Sequence, residues 1–284
     1  MKRLFFITLI CTAGALAQFG GLGKLKDKVD QMQQKARPAT DRAQKAADAF
    51  SSWTPEEEQA IGDAGAAKMI AIFGLVDNEK ATRYVNLVGS SIAQFASRPL
   101  EYRFAILDTE IAGAFALPGG YIFITRAAVF NMKNEAQLAG ALGHEIVHVS
   151  ERHLEKEIRG KKTSAWAIQE GVAANRSGDL ARLHADALLK DLFTTSLSRD
   201  KEDAADEQGT RLAVRTGYAA SGLMDFLDTL KTLNEKPENR QMFGQLLSTH
   251  PSFDGRIGKL APVVKTLGSG GQTMDARFET NLQQ

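Results

Sequence analysis

His144-Glu145-Ile146-Val147-His148 sets two imidazoles one helical turn apart, with a carboxylate between them, in a stretch that reads as continuous helix. Helical positions i and i+4 differ by about 40° around the axis, so both rings can reach one metal ion. Glu145 stands about 100° from His144, close enough to touch a water at the metal but poorly placed to be a ligand. A catalytic zinc takes three protein ligands and keeps one position open. The fold must therefore press another segment of the chain, carrying the third ligand, against this helix.

Three residues compete for that place. His153 lies nine positions after His144, about 180° around a straight helix, so the same helix cannot bring it to the metal. His184 sits in a polar, amphipathic stretch and reads as a surface residue. Glu202, in Ser198-Arg199-Asp200-Lys201-Glu202-Asp203-Ala204-Ala205-Asp206, is the better candidate. A helix there places Asp206 one turn beyond Glu202, where it could hydrogen-bond the outer nitrogen of a ligating His and fix its tautomer. Read alone, this acidic cluster also suits a solvated helix face.

The chain of 284 residues has room for one sizeable core with an appended arm, and it contains only five His. A net charge of +1 gives no electrostatic case for nucleic acid. Met1-Lys2-Arg3, the apolar block Leu4 to Leu16 and the A-x-A of Ala15-Leu16-Ala17 make residues 1–17 a signal peptide, with Gln18 the first mature residue. Cys11, the lone cysteine, falls inside it, and Thr8-Leu9-Ile10 before it is a poor lipobox. The expected compartment is a bacterial periplasm.

Residues 18–53 form a polar helical or flexible arm, either solvated or serving as a docking helix for a partner or membrane surface. The folded domain runs from Thr54-Pro55-Glu56-Glu57, a capping box with proline at N1, to residue 265. A helix from about Asn78 buries Tyr84, Val88, Ile92 and Phe95. Tyr102 to Leu107 alternates like a strand. Phe115-Ala116-Leu117, Pro118-Gly119-Gly120 and Tyr121-Ile122-Phe123-Ile124-Thr125 read as strand, turn, strand. Helices resume near Asn134, and residues 266–284 read as a flexible tail. The order predicts a mainly helical α+β domain with a small, edge-exposed sheet.

Gly143-His144-Glu145-Ile146-Val147-His148-Val149 with Arg152-His153, then Ser198-Arg199, Glu202, Ala205-Asp206 and Gly209, resembles the HtpX and CAAX prenyl endopeptidase family of zinc metalloproteases. Phe73-Gly74-Leu75-Val76, Tyr84-Val85-Asn86, Phe115-Ala116-Leu117-Pro118-Gly119-Gly120, Leu247-Ser248-Thr249-His250-Pro251 and Arg256-Ile257 extend the resemblance over roughly residues 60 to 265. It implies a gluzincin fold, one Zn²⁺ per chain held by His144, His148 and Glu202, and Glu145 as the base. It also places His250 and Arg256 beside the metal, where they would stabilise the oxyanion. An imidazole so close could instead fill the open position and silence the enzyme.

The substrate is expected to lie extended along a sheet edge at Gly113, Ala114, Phe115 and Ala116. Gly113 departs from the Asn usual in the family, so any contact of that amide is lost. The spanning helices of membrane-embedded relatives are missing, and the amphipathic stretch from Leu154 to Leu197 is expected to be a lid or wall over the cleft. Too few residues follow 265 for a tetratricopeptide domain. The expected function is a periplasmic zinc metalloendopeptidase acting on misfolded or misassembled envelope proteins, with peripheral association with the envelope membrane left open. The alternative is a chaperone-like binding protein with a structural zinc. Glu145 separates the two, because a structural site has no use for an unligated carboxylate beside the metal.

Overall fold

The computed structural model describes residues 52–161, 197–235 and 253–282. The leader, the arm up to residue 51, His184, most of the proposed lid and His250 lie outside the described residues. Folding of the described domain starts where the sequence marks it. The Thr54 hydroxyl accepts from the Glu57 amide, and the Glu57 carboxylate accepts from the Thr54 amide, closing the capping box of helix α1 (Pro55–Phe73). Asn78 caps α2 (Glu79–Ala93), whose stripe Tyr84, Val85, Val88 and Ile92 is buried, with Phe95 packed beside it.

Three strands follow: β1 (Arg103–Leu107), β2 (Ala114–Leu117) and β3 (Tyr121–Thr125), with a 3₁₀ turn over Pro118–Gly120 joining the last two. Gly119 takes a φ of 73° in that turn, in the left-handed region open to glycine. The sheet order is β1-β3-β2, with β1 parallel and β2 antiparallel to β3. On the outer side of β1, the Val76 amide donates to the Ile106 carbonyl, so that edge is occupied. Among the described residues no strand pairs with the outer edge of β2.

After a short helix α3 (Arg126–Val129), Asn134 accepts from the Gln137 amide and starts α4 (Glu135–Ser150). Every residue of α4 is buried. A helix buried on all sides belongs at the centre of a fold, and α4 lies there, packed against α2, β2, α6 (Arg199–Arg215) and α7 (Gly222–Glu235). Between α4 and α6 runs α5 (His153–Lys161), and α8 (Phe253–Leu267) packs on α6 and α7. The α4–α6 contact is backbone to backbone: a Cβ on Gly143 would come within 2.6 Å of the Gly209 carbonyl oxygen.

The end of the chain departs from the expected flexible tail. Asp275–Leu282 is a helix, α9, whose Phe278 and Leu282 enter the main core beside α2. Arg277 pairs with the buried Glu135 carboxylate at the start of α4, which also accepts from the Tyr84 and Tyr218 hydroxyls. Two apolar positions in an eight-residue polar helix are too weak a pattern to stand out, and the anchoring carboxylate lies 142 residues away. No helix among the described residues is long and apolar enough to cross a membrane.

Candidate metal centre

The central helix carries six polar side chains into the core, three of them in the H-E-x-x-H run, and burial without partners would cost each of them several kcal/mol. His144, Glu145 and His148 are all buried. The helix pair α4–α6 solves this by bringing Glu202, fully buried, to face the two rings. The Nε2 atoms of His144 and His148 stand 2.8 Å apart. Glu202 Oε2 lies 3.8 Å from His144 Nε2, and Glu202 Oε1 lies 3.5 Å from His148 Nε2. Donor atoms bound tetrahedrally at about 2.0–2.2 Å stand roughly 3.3 Å from one another. The observed separations bracket that value, and all three donors fall within 4.8 Å of one another. Two imidazoles and one carboxylate converging in a buried pocket suit a divalent transition metal.

The outer nitrogens are held as well. His144 Nδ1 lies 2.9 Å from Asp206 Oδ1, one helical turn beyond Glu202. Asp206 is in turn gripped by Arg256, which donates from Nε to Oδ2 at 2.9 Å and from Nη2 to Oδ1 at 2.5 Å. Burial works against a charge on Asp206. The hydrogen bonds from Arg256 and His144 outweigh it and hold the carboxyl well below the usual carboxylate range. Arg256 Nη1 also lies 3.4 Å from Glu202 Oε2, so one guanidinium ties Glu202 to Asp206. Arg256 is thus beside the donor cluster, with two of its nitrogens committed to Asp206. His250 lies outside the described residues.

His153, set aside on straight-helix geometry, sits against the site. Its Nδ1 is 2.9 Å from His148 Nδ1. Burial, with Lys156 adding to it, pushes this imidazole down to about 4, so it is neutral at neutral pH. The helix does not continue through residue 152: Arg152 takes a φ of 52°, and α5 restarts at His153 on a new axis. Sequence reasoning also missed Glu58, a buried carboxylate on α1 that pairs with Arg98 at 2.9 Å and with Arg152 at 2.6 Å.

Two depressions open on either side of Glu145, and both are lined by Glu145, Ala114 and Phe115. One runs past His148 to Trp53, Leu154 and Leu197. The other includes Gly113 and passes His144 to Leu223, Phe226, Leu230 and Phe253. Ala116 lines the first. Because the Thr125 amide donates to the Gly113 carbonyl, the antiparallel alternation pairs Phe115 with Phe123 and leaves the amides and carbonyls of Ala114 and Ala116 facing the open edge. The edge strand, the carboxylate and the donor cluster therefore form one continuous groove.

Residues 79–263 match the model of Peptidase family M48. The beta-barrel assembly-enhancing protease of Yersinia pestis is 27% identical over 214 residues, covering 71% of this chain and 43% of that protein. Its namesake from Escherichia coli strain K12 is 25% identical over 210 residues, covering 71% of this chain and 42% of that protein. The protease HtpX homolog of Pyrococcus abyssi is 25% identical over 226 residues, covering 68% of this chain and 78% of that protein. The chain thus spans less than half the length of the first two relatives.

Proposed function

Because this chain belongs to peptidase family M48, we propose that it is a metalloendopeptidase that binds one zinc ion and cleaves extended segments of misfolded or misassembled envelope proteins in the periplasm. The observation that carries this reading is the place of Glu145. It is buried beside the three converging donors without being one of them, and it lines both halves of the groove.

Zinc held by His144, His148 and Glu202 supplies Lewis acidity, polarising a scissile carbonyl and lowering the pKa of water towards about 7. Glu145 takes the proton of the attacking water on its carboxylate and delivers it to the nitrogen of the leaving amine. Ala114 and Ala116 offer outward amides and carbonyls, so a substrate can add as a further strand irrespective of its sequence. Apolar side chains in both depressions select among such segments. Asp206 orients His144, and Arg256 holds Asp206 while keeping positive charge beside the site. For His250 the family resemblance implies one of two roles, assisting the developing oxyanion or acting as a brake. His250→Ala lowers cleavage in the first case and raises basal cleavage in the second.

The envelope substrates rest on the similarity to beta-barrel assembly-enhancing proteases and on the leader-like residues 1–17. Peripheral attachment to the envelope membrane would fall to residues 18–53. The test uses casein and a destabilised outer-membrane protein, with wild type, Glu145→Gln and chelator-treated protein. Cleavage by wild type alone is expected; cleavage that survives both treatments overturns the proposal.

A further inference from the structure

A straight continuation of α4 would carry His153 to the face opposite His144, about 180° away. The left-handed Arg152, with φ 52°, turns the chain instead and folds the next helix back onto the site. A non-glycine residue in that conformation persists only where its surroundings hold it there. Here the holding is visible: the Arg152 guanidinium reaches Glu58 Oε2 at 2.6 Å and donates to the Trp53 carbonyl at 3.3 Å. The result is a His148–His153 pair, both rings buried, with centroids 5.0 Å apart and planes at 73°.

We propose that His153 is a positioning residue of the metal centre, accepting at its Nδ1 the hydrogen bond from His148 Nδ1–H and so presenting His148 Nε2 unprotonated to the metal. The proposal rests on the metal-binding reading above. With Nε2 turned to Glu202 and His144, the proton of neutral His148 belongs on Nδ1, and His153 Nδ1, 2.9 Å away, stands where it can accept that hydrogen bond. His144 has a carboxylate for the same task. A neutral acceptor for His148 has a physical reason: among the described residues the site already buries Glu145, Glu202 and Asp206, which Arg256 and the divalent metal of that reading offset. A fourth buried carboxylate would add uncompensated charge, whereas an imidazole orients the ligand without it.

The test compares zinc affinity, by competition with a chromophoric chelator, in the full chain. His153→Phe fills the space without an acceptor, and His153→Asn places an amide oxygen where Nδ1 stood. The Phe variant is expected to bind zinc about tenfold to a hundredfold more weakly, and the Asn variant to stay within about threefold of wild type. The visible spectrum of the cobalt-loaded Phe variant shifts, and that of the Asn variant does not. Metal-free thermal unfolding separates this from simple loss of fold. If the Phe variant does not fold, His153→Ser, too short to reach, replaces it in the same comparison. Equal affinities in wild type and the acceptor-less variant, or equal weakening by Phe and Asn, overturn the proposal while leaving the protease reading intact. Failure of wild type to bind zinc would overturn both.

Discussion

Gly209 packs against the backbone of His144 so closely that a Cβ on it would come within 2.5 Å of the His144 amide nitrogen. This contact sets the distance between the helix carrying His144 and His148 and the helix carrying Glu202. Gly209→Ala forces α4 and α6 apart, and Glu202 moves with its helix. The expected cost is about 1–3 kcal/mol in urea unfolding of the metal-free protein, with weaker zinc binding on top of it. Gly258→Ala on α8 is the control, because a Cβ there meets nothing within 4 Å. That substitution should be neutral or stabilise by up to about 1 kcal/mol. A Gly209→Ala variant as stable as wild type would show that the helices do not depend on this contact.

The buried Arg256–Asp206 pair makes a second, separable prediction. Removing only the guanidinium leaves Asp206 and Glu202 buried without their cation, and Arg256→Met should cost about 3–5 kcal/mol. Replacing both members, as Arg256→Met with Asp206→Leu, removes the stranded charge and should recover much of that stability. Zinc affinity should not recover, because His144 Nδ1 has lost its acceptor. Denaturation curves and chelator competition on the single and double variants check both halves. Recovery of both quantities together would mean that Asp206 has no part in orienting His144.

The parts of this site that the sequence makes legible are those whose signals are local. The H-E-x-x-H spacing, the Thr54 capping box and the four-residue step from Glu202 to Asp206 each follow from helical periodicity, which needs no tertiary information. His153 is hidden because its position depends on a helix break at Arg152, and no glycine or asparagine marks that break. Glu135 looks like an ordinary acidic first-turn residue until Tyr84, Tyr218 and Arg277 arrive from three distant segments. The same distance hides α9. Arg256 enters the sequence reading only through the resemblance, and its bidentate hold on Asp206, 50 residues earlier, is a tertiary fact.

Substrate binding along β2 can be tested with one backbone substitution. The amide of Ala116 faces the open edge and takes no part in the ladder to β3, so proline there removes a donor from the groove without breaking a sheet bond. Ala116→Pro should raise KM for a peptide substrate by about twofold to tenfold, the worth of one net hydrogen bond. Phe115→Pro removes an inward amide and should instead destabilise the fold. Steady-state kinetics with matched unfolding curves distinguish these effects. An Ala116→Pro enzyme with wild-type KM would place the substrate backbone elsewhere.

The Glu135 cluster predicts how stability fails at high pH. Burial pushes the Tyr84 and Tyr218 phenols well above their usual range, and the hydrogen bonds to Glu135 and its negative charge push the same way. In the unfolded chain both ionise near pH 10. Above that pH the unfolded state binds fewer protons than the folded one, so stability falls as pH rises. The contribution of the two phenols is fully present below about pH 10 and is lost progressively above it. Tyr102, pushed up to about 12 by burial, behaves alike in every variant and cancels from the comparison. The Tyr84→Phe, Tyr218→Phe double variant should be less stable at pH 8, since Glu135 loses two donors. Between pH 10 and 11 its stability should decline less steeply than that of wild type. Urea midpoints across that range measure both slopes, and parallel curves would show that neither phenol is held protonated by the fold.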